Sequence, residues 1–310
     1  MNILSKIKSK IPGIERDFNE KKHYFSTPVA LFFSMSIYMG KLARIKHKVL
    51  LKRIQKIITI TNTPPQNICT NYINDRISAD CPIWVMWWQG KDAMPLIVKK
   101  CMDSIERNKG NHPVIFLDSQ NYTDYIDVPK LVIDKCLKNG WIACFSDIIR
   151  YGLLSKHGGI WLDATIFVSK PIGAMDKSLY SIRHANGNPR FVLDGDKWSA
   201  FMFASTKDHP VVSFIYNSLI EYFNKESHLI DYWLIDYIIA ILYQNRRDLR
   251  TYLDDFPLDN PTCLELVLCR DEPFEQEKLN TIFKNNRFNK LDWRLVPKEG
   301  TMLYHVIYNL

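Results

Sequence analysis

The sequence predicts an α/β fold built on a mainly parallel central sheet, preceded by a helical N-terminal extension. Three features carry that expectation. From residue 82 onward, apolar runs of strand length alternate with helix-length amphipathic segments, the pattern of parallel strands joined by right-handed crossovers. A helical segment closing at Gly158-Gly159 runs straight into Ile160-Trp161-Leu162, apolar enough for burial on both faces of a sheet. Ahead of both, residues 1–60 combine helical apolar periodicity with a strong excess of positive charge.

The first 27 residues are polar and charged, with Pro12-Gly13 among them, and do not fit a secretory signal. Residues 28–40, PVALFFSMSIYMG, are the most apolar run of the extension, but at 13 residues they fall short of the roughly 20 that a spanning helix needs. From Lys41 to Ile60, Leu42, Ile45, Val49, Ile54, Ile57 and Ile58 recur at three- and four-residue steps with Lys and Arg between them. Such a helix suits an anionic membrane surface, where each Lys or Arg contributes about 1 kcal/mol. It suits equally well a place on the main domain with its basic face in solvent. No nucleic-acid motif accompanies these charges, so nucleic acid is not expected as a partner.

Residues 61–80, with Pro64-Pro65 and several Asn, read as a linker into a main domain at 81–310. Pro82 to Gln89 forms a first strand, closing at Gly90. A helix over 95–107, a strand over 112–118, a loop over 121–127 and a helix over 129–138 follow. Ser146 is placed to cap a helix, with Asp147 beside it at the positive end of the dipole. After Gly158-Gly159, Ile160 to Val168 reads as one strand interrupted by Asp163-Ala164-Thr165. Residues 178–191 make a moderately basic loop holding Arg183, His184 and Arg190. A strand over 198–204, a helix over 210–224 and an apolar helix from Asp231 to about Tyr243 complete the pattern.

The chain has 310 residues, 46% hydrophobic and 24% charged, enough for one large domain or one domain with an appendage. Its net charge of +8 is uneven. Residues 1–60 hold thirteen Lys and Arg against three acids, a net +10, which leaves the other 250 residues at −2. Seven cysteines, at 69, 81, 101, 136, 144, 263 and 269, form no C-x-x-C and no zinc spacing, as expected of reduced thiols in a cytoplasmic protein.

The chemistry is expected around Asp163. An ionised carboxylate in so apolar a run costs several kcal/mol to bury unless a cation or strong donors meet it. Asp147 and Arg150 share a helix face one element upstream, as a local ion pair or as part of a site outside the carboxyl ends of the strands. In the first strand, Trp84 and Trp88 alternate with Trp87. Singly each suits the core, and as a set they offer a platform for a nucleobase. Asp236 sits in an apolar run and needs a partner, while Asp231 suits a helix start.

Ser146-Asp147-Ile148-x-Arg150 followed by Gly158-Gly159-Ile160-Trp161-Leu162-Asp163-Ala164-Thr165 resembles the bacterial capsular polysaccharide synthesis proteins, which are similar to the DXD-containing sugar transferases. The likeness extends to Ile83–Gly90, Met94-Pro95, Cys101–Ile105, Asn121-Tyr122, Tyr125–Pro129, Trp198-Ser199 and Asp236-Tyr237, about two thirds of the chain. It implies a GT-A, Rossmann-like nucleotide-sugar transferase fold and transfer, with retention, of a sugar to a capsular or other surface glycan. A UDP-linked donor is expected, with a lipid-linked acceptor.

By the same resemblance Trp87, with Trp84 and Gln89 nearby, holds the nucleotide, Asp147 and Arg150 meet the donor sugar's hydroxyls, and Asp236 faces acceptor and donor. A divalent cation, Mn²⁺ or Mg²⁺, is expected on Asp163, with Thr165 and a His305 brought back by the tail as further ligands. Thr165 departs from the DXD pattern, since a neutral hydroxyl replaces the second acid and leaves Asp163 the larger burden. The protein is expected at the inner face of the plasma membrane, held by residues 1–60. Removing those residues should then release it from anionic vesicles and leave the chemistry intact. The lost acid also fits a protein of another class, a membrane-surface scaffold that keeps the fold without turnover.

Overall fold

The computed structural model describes residues 11–36, 43–59, 75–183 and 197–310. Leu42, most of the expected linker, and His184 and Arg190 of the basic loop lie outside them. In chain order the elements are α1 (Ile11–Lys21), α2 (Thr27–Ser36), α3 (Ala43–Ile57), β1 (Ile83–Met86), α4 (Leu96–Asn108), β2 (Val114–Leu117), α5 (Lys130–Lys138), α6 (Ile142–His157), β3 (Gly159–Leu162), β4 (Ile166–Val168), β5 (Leu179–Ser181) and β6 (Met202–Ser205). There follow α7 (Pro210–Lys225), α8 (Leu234–Asn245), α9 (Arg247–Asp254), α10 (Glu265–Leu268), α11 (Gln276–Asn285), β7 (Phe288–Lys290) and α12 (Met302–Tyr308).

The central sheet runs β2-β1-β3-β6-β5. β1 is parallel to both β2 and β3, while β6 is antiparallel to its neighbours β3 and β5. Four of the five strands therefore point one way, and the mainly parallel sheet carries one reversed strand. The alternation in β1 divides the core. Trp84 and Met86 pack on one face with Phe145 and Trp161, and Ile83 and Val85 on the other with Ile160 and Leu162.

Two expectations about the central segment are corrected. Helix α6 begins at Ile142, four residues before Ser146, and Trp141 at its start offers no side-chain cap. Cys144 and Phe145 are buried, and that burial extends the helix through the position where local propensity would have begun it. Nor is Ile160–Val168 one strand. After Leu162 the Asp163 N–H still bonds to Phe201 O at 2.9 Å, but the Ile166 N–H folds back onto Asp163 O at 2.9 Å. Beyond this turn, β4 leaves the central sheet and pairs antiparallel with β7, Ile166 opposite Lys290. A strand continued straight would have driven the Asp163 carboxylate between apolar layers, and the turn brings it instead to the sheet's rim.

The glycine stop behaves as expected. Gly158 and Gly159 adopt φ of 70° and 103°, in the left-handed region, and a Cβ on Gly159 would lie 2.4 Å from Pro82 O. Only glycine lets β3 run this close to the segment entering β1.

The N-terminal helices share the core of the rest. Leu50, Leu51, Ile54, Ile57 and Ile58 of the α3 region are buried with residues of α7 and α8, whereas Ile45 and Val49 are exposed. The apolar positions of 41–60 are thus split between two faces. The outer face carries Arg44, Lys48, Lys52, Arg53 and Lys56, but Lys46 is buried. Among the described residues no helix is long and apolar enough to cross a membrane, and Cys81, Cys101, Cys136, Cys144, Cys263 and Cys269 form no disulfide.

Candidate active site

Parallel strands that end side by side leave a crevice beyond their carboxyl ends, because the connecting segments depart to opposite faces. Here β1 and β3 end together, and beyond them opens a cavity of about 690 Å³, a size suited to a small-molecule ligand. Residues 86–89, at the end of β1 and just beyond it, form one wall, the first half of α6 another, and the Asp163–Thr165 turn the floor. Residues 197–201, the 232–236 segment and residues 290–294 complete the enclosure.

Across the floor four charged side chains form a chain. One guanidinium nitrogen of Arg150 donates to Asp147 Oδ1 at 2.6 Å, and the other donates to Asp163 Oδ1 at 2.8 Å. Trp161 Nε1 also donates to Asp163 Oδ1, at 3.0 Å, and the Arg150 guanidinium lies 5.1 Å from the Trp161 ring centre. The second Asp163 oxygen, Oδ2, accepts from Lys290 Nζ at 2.7 Å, and the same ammonium donates to Thr165 Oγ1 at 2.8 Å. The three-residue step on α6 puts Asp147 and Arg150 on one face, and the β4–β7 pairing delivers Lys290 to the turn.

Burial acts on all of these groups, and their partners decide the outcome. For Asp163 burial raises the carboxyl pKa, but Lys290 and Arg150 more than offset it and hold the group below its ordinary value. Asp147 has the guanidinium alone, and there burial wins, raising it to about 7. Asp236 meets Trp198 Nε1 at 3.1 Å, and burial lifts it to about 6. Burial lowers the Arg150 pKa, yet Asp147 and Asp163 carry it above its ordinary value, so it stays charged. Among these groups one acid is held ionised, two are raised toward neutrality, and Arg150 stays a cation.

Asp147, Arg150, Asp163, Thr165, Asp236, Trp87 and Gln89 all line this cavity. Two expected residues do not. Trp84 is buried beneath it, its Nε1 donating to Gly158 O at 2.9 Å, because it lies back from the carboxyl end of β1, level with Trp161 of β3, whereas Met86 reaches the lining. His305 lies on α12 with its ring stacked on Phe274 at 3.6 Å, and it is not part of the cavity lining. Trp293, from the tail expected to cross back, does line the cavity and meets Trp87 edge to face at 5.9 Å.

The expected divalent cation does not fit the donors as they stand. Both Asp163 oxygens and the Thr165 hydroxyl already receive cationic or N–H donors, and His305 is elsewhere. Among the described residues no group of three or more His, Cys, Asp or Glu gathers to hold a metal ion. Sequence reasoning missed Lys290, which sits 127 residues from its carboxylate in a short, unremarked FNK run. Lys197 and Arg294, also on the lining, carried no signal of their own either.

Seven chains of solved structures match this one. Among them is the PaToxG glycosyltransferase, matched over 81% of this chain and 95% of that one at 16% identity and a TM-score of 0.42. No curated protein matches. The model of the capsular polysaccharide synthesis protein family matches residues 36–309, so the chain belongs to that family.

Proposed function

We propose that this protein transfers a sugar from a nucleotide-sugar donor, UDP-linked, to a hydroxyl of a growing capsular or related surface glycan. The observation that carries the reading is the Asp147–Arg150–Asp163 chain on the floor of a cavity beyond the ends of β1 and β3. Strand ends of this kind suit a nucleotide, and fixed cations suit the charge that develops on a departing diphosphate.

In this reading Trp87, paired with Trp293 at the rim, stacks on the base. Arg150 and Asp147 engage hydroxyls of the donor sugar, and Asp236 faces the incoming acceptor. The exposed basic face of α3, with Ile45 and Val49 among its charges, lies on an anionic membrane and keeps the enzyme beside a lipid-linked acceptor at the inner leaflet.

The test is release of nucleoside phosphate from a panel of UDP, GDP and CMP sugars by the purified full chain. One donor should turn over, and Asp163→Ala should abolish the release while the protein stays folded. If no donor turned over under any condition, the non-catalytic scaffold would replace the enzyme.

A further inference from the structure

We infer that Lys290 takes the place of the divalent cation, so that its ammonium group, set between Asp163 and Thr165, binds the donor's diphosphate without a metal. This rests on the nucleotide-sugar reading above and specifies how that site handles the leaving group.

The geometry is that of a bridging cation. Lys290 Nζ lies 2.7 Å from Asp163 Oδ2 and 2.8 Å from Thr165 Oγ1, the first and third side chains of the turn. An ammonium group has three N–H donors, and these two contacts leave one for a ligand oxygen. The side chain is 22% exposed and lines the cavity, so that donor has access to a ligand.

Backbone bonds hold the lysine firmly. Its own N–H donates to Cys263 O at 2.8 Å, the next N–H, from Leu291, donates to Thr165 O at 2.8 Å, and β7 pairs with β4 along its length. On the far side of the same carboxylate Arg150 supplies a second fixed cation. With Thr165 in place of an acid, Asp163 is the turn's one carboxylate, and Arg150 and Lys290 already occupy both of its oxygens.

In the reaction the bond from the anomeric carbon to the diphosphate oxygen breaks, and both electrons stay with the diphosphate, which gains one negative charge. The acceptor hydroxyl oxygen forms the new bond to that carbon, and its proton passes to a carboxylate such as Asp236. Lys290 and Arg150 stand where the new charge appears, and a preorganised cation needs no reorganisation to meet it.

The experiment is titration calorimetry of the full chain with UDP, GDP and dTDP, in EDTA and in Mn²⁺, for the unaltered protein, Lys290→Met and Lys290→Arg. Thermal unfolding checks that each variant folds. One diphosphate should bind in EDTA within about threefold of its affinity in Mn²⁺. Lys290→Met should weaken binding at least tenfold in EDTA, and Lys290→Arg should restore most of it.

Binding of the unaltered protein that requires Mn²⁺ would overturn the inference and leave the transferase reading standing, as would full affinity in Lys290→Met. Failure of every diphosphate to bind, with or without metal, would remove the UDP-linked transferase reading and this inference together.

Discussion

Lys46 Nζ lies 2.7 Å from Asp231 Oδ2, with both side chains almost wholly withdrawn from solvent. Lys21 reaches the same oxygen at 3.0 Å and also pairs with Asp17. Asp231 in turn accepts the Trp233 N–H at 3.0 Å at the start of α8, the helix that carries Asp236. The N-terminal helices are thus fastened to one wall of the cavity by buried charge.

Breaking a buried pair from one side strands the other charge, at a cost of about 3–5 kcal/mol. Lys46→Met should therefore lower stability by an amount of that order in urea unfolding, with Lys21 softening the loss. A change below about 1 kcal/mol would show that Asp231 needs no such partner. The same geometry speaks against harmless removal of residues 1–60, because the deletion would strip Asp231 of both lysines and uncover the apolar surface that α3 covers.

Acidity should tune stability in a defined window. Asp147, raised to about 7, and Asp236, raised to about 6, both through burial, bind protons more tightly folded than unfolded. Their contribution is full below the unfolded carboxylate pKa near 4 and is lost as pH climbs through 6 to 7. Thermal unfolding of the ligand-free protein should show a midpoint that falls between pH 5 and pH 8. Asp147→Asn should flatten that slope, and an unchanged slope in this variant would refute the assignment. Asp163 and Asp231, both held below their ordinary values, act in the opposite sense and lose their contribution as pH falls below the unfolded carboxylate value near 4.

The tryptophans of the first strand should part company on substitution. Trp84→Ala removes a buried ring and its bond to Gly158 O, a loss of about 3–5 kcal/mol of stability. Trp87→Ala, at the cavity's edge, should leave the unfolding midpoint nearly unchanged and weaken nucleotide binding by about 1–3 kcal/mol. Equal effects of the two on calorimetric affinity would contradict their separate roles.

For the membrane contact, Arg44, Lys48, Lys52 and Lys56 are exposed and can be changed to Gln together without touching Lys46. At about 1 kcal/mol each, their loss should weaken binding to anionic vesicles roughly a thousandfold in co-sedimentation. Donor turnover in solution should persist. Undiminished sedimentation would remove the surface role.

Much of the framework could be read from local pattern, because local forces made it. The Gly158-Gly159 stop was legible since the backbone there needs a left-handed turn, and β1, β2, α4 and α5 since their apolar runs match their periods. Asp163, Asp147 and Arg150 were legible as charges with no apolar excuse. What stayed hidden depends on contacts across the chain. Ser146 lost its capping place to the burial of Cys144 and Phe145, and the strand after Leu162 broke because β7 offered β4 a partner. Lys46 belongs to a face expected in solvent, and Asp231, distant in sequence, explains its burial.

The break after Leu162 also sets an order of events during synthesis. Asp163 leaves the ribosome 127 residues ahead of the lysine that neutralises it. Until then the acid has Arg150 and the Trp161 indole N–H as its partners on the chain already made, and β4 lacks the strand it pairs with. A stalled or truncated product ending before residue 288 would keep a bare strand and an incomplete charge set, which makes it a ready substrate for chaperones and proteases.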